Sequence, residues 1–153
     1  MICSSIDDVP AAVALVIFSP LGRILTLLEL NEKVPILKKR GMVSIPCESM
    51  KRGEKSPDTV WRLIDEEIGV AFCEEFYILP QPLNDFVHGY PVYVALAQSD
   101  TEFSANPVDA DEVAFNRWMH PDELLKLSFE KAQTRLETQQ ILAAAIAARG
   151  AYA

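Results

Sequence analysis

Glu54-Lys55-Ser56-Pro57-Asp58-Thr59-Val60-Trp61-Arg62-Leu63-Ile64-Asp65-Glu66-Glu67-Ile68-Gly69-Val70 is the stretch on which the reading of this chain turns. Ser56 is a good helix N-cap and Pro57 suits the first helical position. Asp58 falls in the first turn, where the helix dipole favours an acid. Val60, Trp61, Ile64 and Ile68 recur at helical spacing and predict a buried stripe, and Gly69 supplies the stop. Arg62, Leu63, Glu66 and Glu67 lie within little more than one turn of that helix, and residues three and four apart share a face. Taken alone, Asp65-Glu66-Glu67 reads as the solvated face of an amphipathic helix, because acidic runs on helices are common.

Outward from the helix, the apolar run at residues 11–18 predicts a buried central strand, followed by a turn at Pro20-Leu21-Gly22 and a second strand at residues 23–30. Residues 31–41 are polar and basic and read as a loop; residues 42–45 read as a short strand ending at Pro46. Further strands are expected at residues 76–79, 92–97 and 113–119. Turn-rich segments at 82–91 (with Asn84, Asp85, Phe86, His88 and Tyr90) and 99–111 separate them. A short helix is expected from Pro121, with His120 at its start, and a long alanine-rich helix over residues 130–149. This order indicates an α/β (α+β) domain with helices covering a sheet.

The joint spacing of Gly53-Glu54, Arg62, Glu66-Glu67 and Gly69 resembles the signature G-x5-E-x7-R-E-U-x-E-E-x-G-U of the Nudix (MutT-like) hydrolases, where U is aliphatic. The whole chain, including Glu112-Val113, Arg117-Trp118-Met119 and Pro121-Asp122-Glu123-Leu124, is similar to that family's α/β/α sandwich with a mixed β-sheet. The resemblance implies one Nudix-like domain over residues 1–153. It also implies a Mg²⁺- or Mn²⁺-dependent hydrolase that splits a phosphoanhydride bond in a nucleoside diphosphate linked to another moiety. Carried over residue by residue, Glu66 and Glu67 match the family's metal ligands, Glu54 supports the metal cluster, and Arg62 orients a catalytic carboxylate. Oxygen ligands of this kind suit hard cations completed by water and phosphate.

Two positions depart from the signature. Glu48 stands where the opening glycine belongs, in a segment, Pro46 to Gly53, expected to be a loop. Leu63 stands where the first helical glutamate belongs, and leucine neither ligates a metal nor accepts a proton. Asp65 does not replace it, because two residues along a helix is about 200° round the axis. Glu48 and Glu112 are the candidates to complete the site and serve as base; Asp111 is a weaker one. Lys38, Lys39 and Arg40 are candidates to receive substrate phosphates, beside the plainer reading of a solvated loop. Two other functions stay open. One is a degenerate Nudix domain that binds a nucleotide or a partner protein without hydrolysing it. The other is an enzyme similar to the isopentenyl-diphosphate isomerases, which carry a catalytic cysteine near the place of Cys47. Cys47 reads better as a small buried residue, and this chain has only His88 and His120 for a histidine-rich metal site.

Bulk properties bound the rest. The chain has 153 residues, half of them apolar, and a net charge of −8. That charge argues against a general binder of nucleic acid or anionic membrane, while leaving room for an anionic small molecule held through cations. Cys3, Cys47 and Cys73 are odd in number, match no zinc spacing and suggest free thiols in a reducing cytoplasm. Residues 11–18 are too short to span a membrane, and the acids Asp7 and Asp8 before them do not suit a signal peptide. Ala143, Ala144, Ala145, Ala147 and Ala148 suit close packing of the last helix, on its own domain or in a homodimer.

Overall fold

Every side chain of the strand Ala12–Phe18 (β1) is buried, and its alternating sides feed two separate cores, as period-two geometry requires. The computed structural model describes residues 11–84 and 90–152, so Cys3, Asp7, Asp8, Asp85, Phe86 and His88 lie outside the described residues. After β1 come Ile24–Glu29 (β2), a 3-10 turn at Val34–Ile36, Val43–Ser44 (β3) and Cys47–Ser49 (β4). The helix Ser56–Leu63 (α1) runs directly into a π-helical turn, Ile64–Ile68. Tyr77–Ile78 (β5), Val92–Gln98 (β6), Val113–Met119 (β7), Pro121–Leu125 (α2) and Thr138–Tyr152 (α3) complete the chain.

The sheet is mixed. β1 runs parallel to β6 over its whole length, from Ala12 opposite Val92 to Phe18 opposite Gln98. On its other side β1 meets β2 at the Phe18–Ile24 hairpin end and β4 at its start, with Val13 opposite Glu48 and Ala14 opposite Cys47. β2 in turn pairs antiparallel with β7 and β3. Val13, Leu15 and Ile17 point to one face, beneath Val60, Leu63, Ile64 and Ile68. Ala14, Val16 and Phe18 point to the other, beneath Ile141, Leu142 and Ala145 of α3. The result is the helix–sheet–helix sandwich expected from the element order.

Several local expectations are corrected. The N-cap of α1 is Lys55, with Ser56 already helical; Asp58 accepts the Lys55 backbone N–H at 3.0 Å and so caps the first turn. The buried stripe is Val60, Leu63, Ile64 and Ile68, because the i, i+3, i+4 rows face the sheet. Trp61 lies about 100° off that row; it is 41% exposed and meets Phe76 edge-on with ring centroids 4.9 Å apart. Pro46 to Gly53 is not wholly loop, since Cys47–Ser49 pairs with β1. Glu48 lies on this strand and does not adopt a left-handed backbone, so no glycine is required there. The last helix starts at Thr138, not near residue 130. Ala132 adopts φ +59°, which breaks a helix, and Thr134 Oγ1 donates to the Val43 carbonyl at 2.7 Å, tying the segment to β3.

Candidate active site

Arg62, in the last turn of α1, points along the helix toward β4 and gathers the carboxylates around it. Its Nε and Nη2 donate to the two oxygens of Glu54 at 2.9 and 2.8 Å, and Nη2 also donates to the Ser49 carbonyl at 2.7 Å. Nη1 lies 3.5 Å from both Glu48 Oε1 and Glu66 Oε2. Glu54 further accepts the Lys51 backbone N–H at 2.7 Å and the Thr59 hydroxyl at 3.0 Å. The Arg62 hydrogen bonds hold the Glu54 carboxyl down at about 2, and Glu54 in turn raises the arginine further above its ordinary value. A bidentate pair of this kind fixes geometry as well as charge.

Beside this hub lies a cavity of about 430 Å³ whose wall includes Glu29, Glu48, Glu66, Glu67 and Glu112, with Lys33 and Lys38. Burial, followed by the charges of Glu48 and Glu29, pushes the Glu67 carboxyl well above the ordinary carboxylate range, against the lowering effect of Lys38. Glu48 and Glu67 line the same cavity, and Glu48 is the like charge that acts most strongly on Glu67. Lys38 Nζ is 2.8 Å from Glu29 Oε1 in a nearly buried ion pair. That oxygen lies off the line of a hydrogen bond and has no hydrogen-bond partner among the described residues.

The carboxylates come together through strand ends and one turn. Glu29 ends β2 on the same face as Leu25 and Leu27, opposite Val113 of β7. Glu48 sits opposite Val13, on the face that α1 covers. Glu66 and Glu67 belong to the π turn, closed by Gly69 N–H donating to the Ile64 carbonyl at 2.8 Å; turns of this type recur at functional sites. The wall is locked from outside. Val108 N–H donates to the Glu66 carbonyl at 2.8 Å and Asn106 N–H to the Ile68 carbonyl at 2.7 Å, satisfying groups the helix end leaves open. Gly69 is required twice: its φ is +68°, and a Cβ there would lie 1.7 Å from the Asn106 carbonyl oxygen.

Of the residues singled out in the sequence, Glu48, Glu66, Glu67 and Glu112 line the cavity, while Glu54 and Arg62 brace it from behind. Glu112 lies 3.5 Å from Lys33; Asp111 is exposed and its neighbour Asp109 lines the wall instead. The basic triplet divides. Lys38 is buried against Glu29, whereas Lys39 and Arg40 are exposed and contribute nothing to the wall, which takes Lys33 as its second lysine. Leu63 is fully buried in the core beneath α1. Burial pushes the Cys47 thiol up to about 12, which suits a structural cysteine rather than a nucleophile. Arg117 pairs with Glu123 at 3.2 Å, at the start of α2. Sequence reasoning missed Glu29, Arg135 and Glu137. For Glu29 a signal exists: an acid closes the otherwise apolar face Leu25, Leu27, Glu29.

The donor set fits a hard divalent cation. Glu29, Glu48 and Glu67 line one cavity, and the buried Glu29 oxygen is ion-paired with Lys38 but accepts no hydrogen bond from the described residues. Among the described residues no three acidic, cysteine or histidine side chains converge into a ready-made cage. Mg²⁺ is commonly held by one or two carboxylates, with water and substrate phosphate completing its shell.

An α+β sandwich in which an arginine of the central helix braces carboxylates from the helix end, the strand Cys47–Ser49 and the turn before the helix is the arrangement of a Nudix-type protein. The chain belongs to that family: the NUDIX domain model matches residues 8–140. An Ap4A hydrolase from C. elegans, solved as a binary complex, is 20% identical over 93% of this chain and 99% of its own, with a TM-score of 0.63. A MutT protein from Methanosarcina mazei Go1 is 14% identical over 91% and 94%, with a TM-score of 0.65. The NUDIX domain of Shewanella oneidensis NrtR, complexed with ADP ribose, is 14% identical over 94% and 88%, with a TM-score of 0.60. At such identities the likeness shows the fold. No curated protein matches the chain in sequence. No helix among the described residues is long and apolar enough to cross a membrane.

Proposed function

We propose that this protein is a divalent-metal-dependent hydrolase that splits the phosphoanhydride of a nucleoside diphosphate linked to another moiety. The observation that carries the reading is the shared cavity itself: Glu29, Glu48 and Glu67 line it together with one buried lysine, Lys38, an arrangement that a cation relieves. Glu67 and Glu48 would hold Mg²⁺ or Mn²⁺, with Glu66 at the rim, so that Glu48 takes over the duty that Leu63 cannot perform. The cation would supply neutralisation of diphosphate charge and polarisation of the scissile group. Arg62 keeps Glu48 and Glu66 aimed, Glu54 keeps Arg62 in place, and Lys33 and Lys38 offer positive charge to phosphate oxygens. Glu112, on the cavity wall, is the group assigned to take the proton of the attacking water. The bound ADP ribose of the NrtR domain, a nucleoside diphosphate joined to a sugar, supports this substrate class. The free thiols of Cys47 and Cys73 support a reducing cytoplasmic setting.

The test is turnover of ADP-sugars, dinucleoside polyphosphates and nucleoside triphosphates with Mg²⁺ and Mn²⁺, in the wild type and in Glu67→Gln and Glu48→Gln. Metal-dependent release of nucleoside monophosphate that both substitutions reduce by about a hundredfold or more is expected; full activity in either overturns the assignment. The buried Leu63 favours a second reading, a domain that binds the nucleotide without cleaving it. Saturable binding with no turnover of any of these substrates selects that reading.

A further inference from the structure

Glu48 and Cys47 are neighbours on β4, and strand alternation sends their side chains to opposite faces. The cavity follows both. Beyond the carboxylates it continues past Ala12 and Val92, which face each other across β1 and β6, to Cys47, Tyr90, Arg135 and Glu137. Cys47 lines the same cavity as Glu48 and Glu67 and as Arg135 and Glu137, and all four charges act on it, so the two ends adjoin. Tyr90 feels Cys47, Arg135 and Glu137. Arg135 Nη2 lies 3.0 Å from Glu137 Oε1, and the two side chains are 11% and 7% exposed. Arg135 Nε is buried with no hydrogen-bond partner among the described residues.

A buried ion pair is expensive to build and to leave half-satisfied, and this one stands on a cavity wall with a donor unspent. The segment carrying it is tied down for the purpose of position: Val43 N–H donates to the Gln133 carbonyl at 2.8 Å and Thr134 Oγ1 to the Val43 carbonyl. We propose that Arg135 and Glu137 form the nucleobase-recognition end of the cavity, reading a base edge that presents an acceptor beside a donor. This deepens the nucleotide-hydrolase reading above and rests on it for the diphosphate end. The chemistry selects a base over other occupants. Glu137 already balances the charge of Arg135, so a second phosphate gains little there. A hydrocarbon chain would leave Arg135 Nε–H dry and unpaired. A flat ring against the small apolar surface of Ala12 and Val92, with a carbonyl or ring nitrogen for the guanidinium and an N–H for the carboxylate, satisfies both members of the pair, as arginine and acidic side chains do on base edges elsewhere. Pockets of this volume enclose ligands of nucleotide size.

The experiment is metal-free calorimetric titration of the full chain with GMP, AMP and CMP against ribose 5-phosphate, which keeps the sugar and phosphate and lacks the base. At least one monophosphate is expected to bind about tenfold or more tighter than ribose 5-phosphate, and the preferred base identifies the edge read. The Arg135→Met/Glu137→Leu double variant removes both charges together, leaving no orphan ion, and should reduce that advantage to about threefold or less. Glu137→Gln keeps the shape and should change which base is preferred, so it serves if the double variant fails to fold. The proposal is overturned if no monophosphate outbinds ribose 5-phosphate in the wild type, or if the advantage and preference survive the substitutions. A base-dependent affinity without turnover of any substrate would sink the hydrolase reading alone. Turnover with equal kcat/KM for base-containing and base-less diphosphates would sink this proposal alone.

Discussion

Arg62 holds both carboxylate oxygens of Glu54, Nε at 2.9 Å from one and Nη2 at 2.8 Å from the other, eight residues back along the chain. The pair staples the start of α1 to its end and sets the guanidinium facing Glu48 and Glu66. Both side chains are largely shielded, at 17% and 18% exposed, so losing one partner strands the other. Arg62→Met should destabilise the fold by about 2–3 kcal/mol in urea denaturation. Arg62→Lys should recover little of it, because an ammonium cannot make the two parallel bonds.

The same pair predicts a pH signature. Glu54 sits at about 2 in the folded protein against an ordinary 4.5. A depressed carboxylate contributes stability that is fully present above its unfolded value and is lost as pH falls toward the folded one. The stability gap between wild type and Glu54→Gln should therefore be level above about pH 5.5 and narrow steadily between about pH 4.5 and 2. A gap that stays constant on acidification would contradict the assigned pairing.

Leu63 marks where the signature glutamate is missing, and its burial says what restoring that glutamate would do. The side chain is fully buried with Val60, Ile64 and Ile68 against Val13 and Leu15. Leu63→Glu places a carboxylate among hydrocarbon, and the chain should lose about 3 kcal/mol or more of stability at pH 7, less at pH 4 where the acid is neutral. Equal stability to wild type at pH 7 would show that the helix can roll to present position 63 to the cavity.

Much of this fold is legible without coordinates, for physical reasons that also explain what is not. β1, β6, β7 and α2 follow from local signals: apolar runs of strand length, and Pro121 behind His120. Gly69 is legible as a stop because only glycine takes its backbone angles easily. Trp61 misleads because a large apolar residue is read as buried, although the helix row it would share points away from the sheet. The start of the last helix misleads because Glu130, Lys131, Ala132, Gln133, Arg135, Leu136 and Glu137 are nearly all good helix formers by intrinsic propensity. It is tertiary bonding, Thr134 to Val43, that holds the preceding segment out of the helix. The hub of Arg62, Glu54 and Glu66 is local and readable; Glu29, Lys38, Arg135 and Glu137 meet only through sheet topology, which no spacing in the chain encodes.

Gly69 couples the acidic turn to the loop that covers it. Alanine there meets both the left-handed φ and the Asn106 carbonyl, so the loop at residues 105–109 must retreat and release its bonds to Glu66 and Ile68. Gly69→Ala should cost about 2 kcal/mol or more and raise amide exchange at Asn106 and Val108 selectively. Unchanged protection at those two amides would contradict the close approach.

Cys47 offers a chemical check on the isomerase alternative. With its thiol held near 12 by burial, the thiolate fraction at pH 8 should be about a thousandth of that of a free cysteine. Alkylation of Cys47 by iodoacetamide in the folded protein should be slower by two orders of magnitude or more than in urea. Rapid modification at pH 8 would reveal an activated thiol and reopen a nucleophilic role.

Glu67 ties stability, pH and metal together. Its carboxyl is raised by burial and by the charges of Glu48 and Glu29. For an acid raised on folding, the sign is opposite to that of Glu54: its contribution is full below the unfolded value of about 4.5 and declines as pH rises through the folded one. Metal-free Glu67→Gln should therefore be as stable as wild type at low pH and more stable near pH 7, where the native carboxyl is strained toward ionising. Cation binding requires the ionised Glu67 carboxyl, so the midpoint of Mg²⁺ or Mn²⁺ affinity against pH should lie above the ordinary carboxylate range. Glu48→Gln removes the nearest like charge; it should move that midpoint down while lowering the maximal affinity, because one ligand is gone. Metal titrations followed by thermal melting between pH 5 and 8 measure all three effects. A midpoint unmoved by Glu48→Gln would separate the two carboxyls and dissolve the metal site built on them.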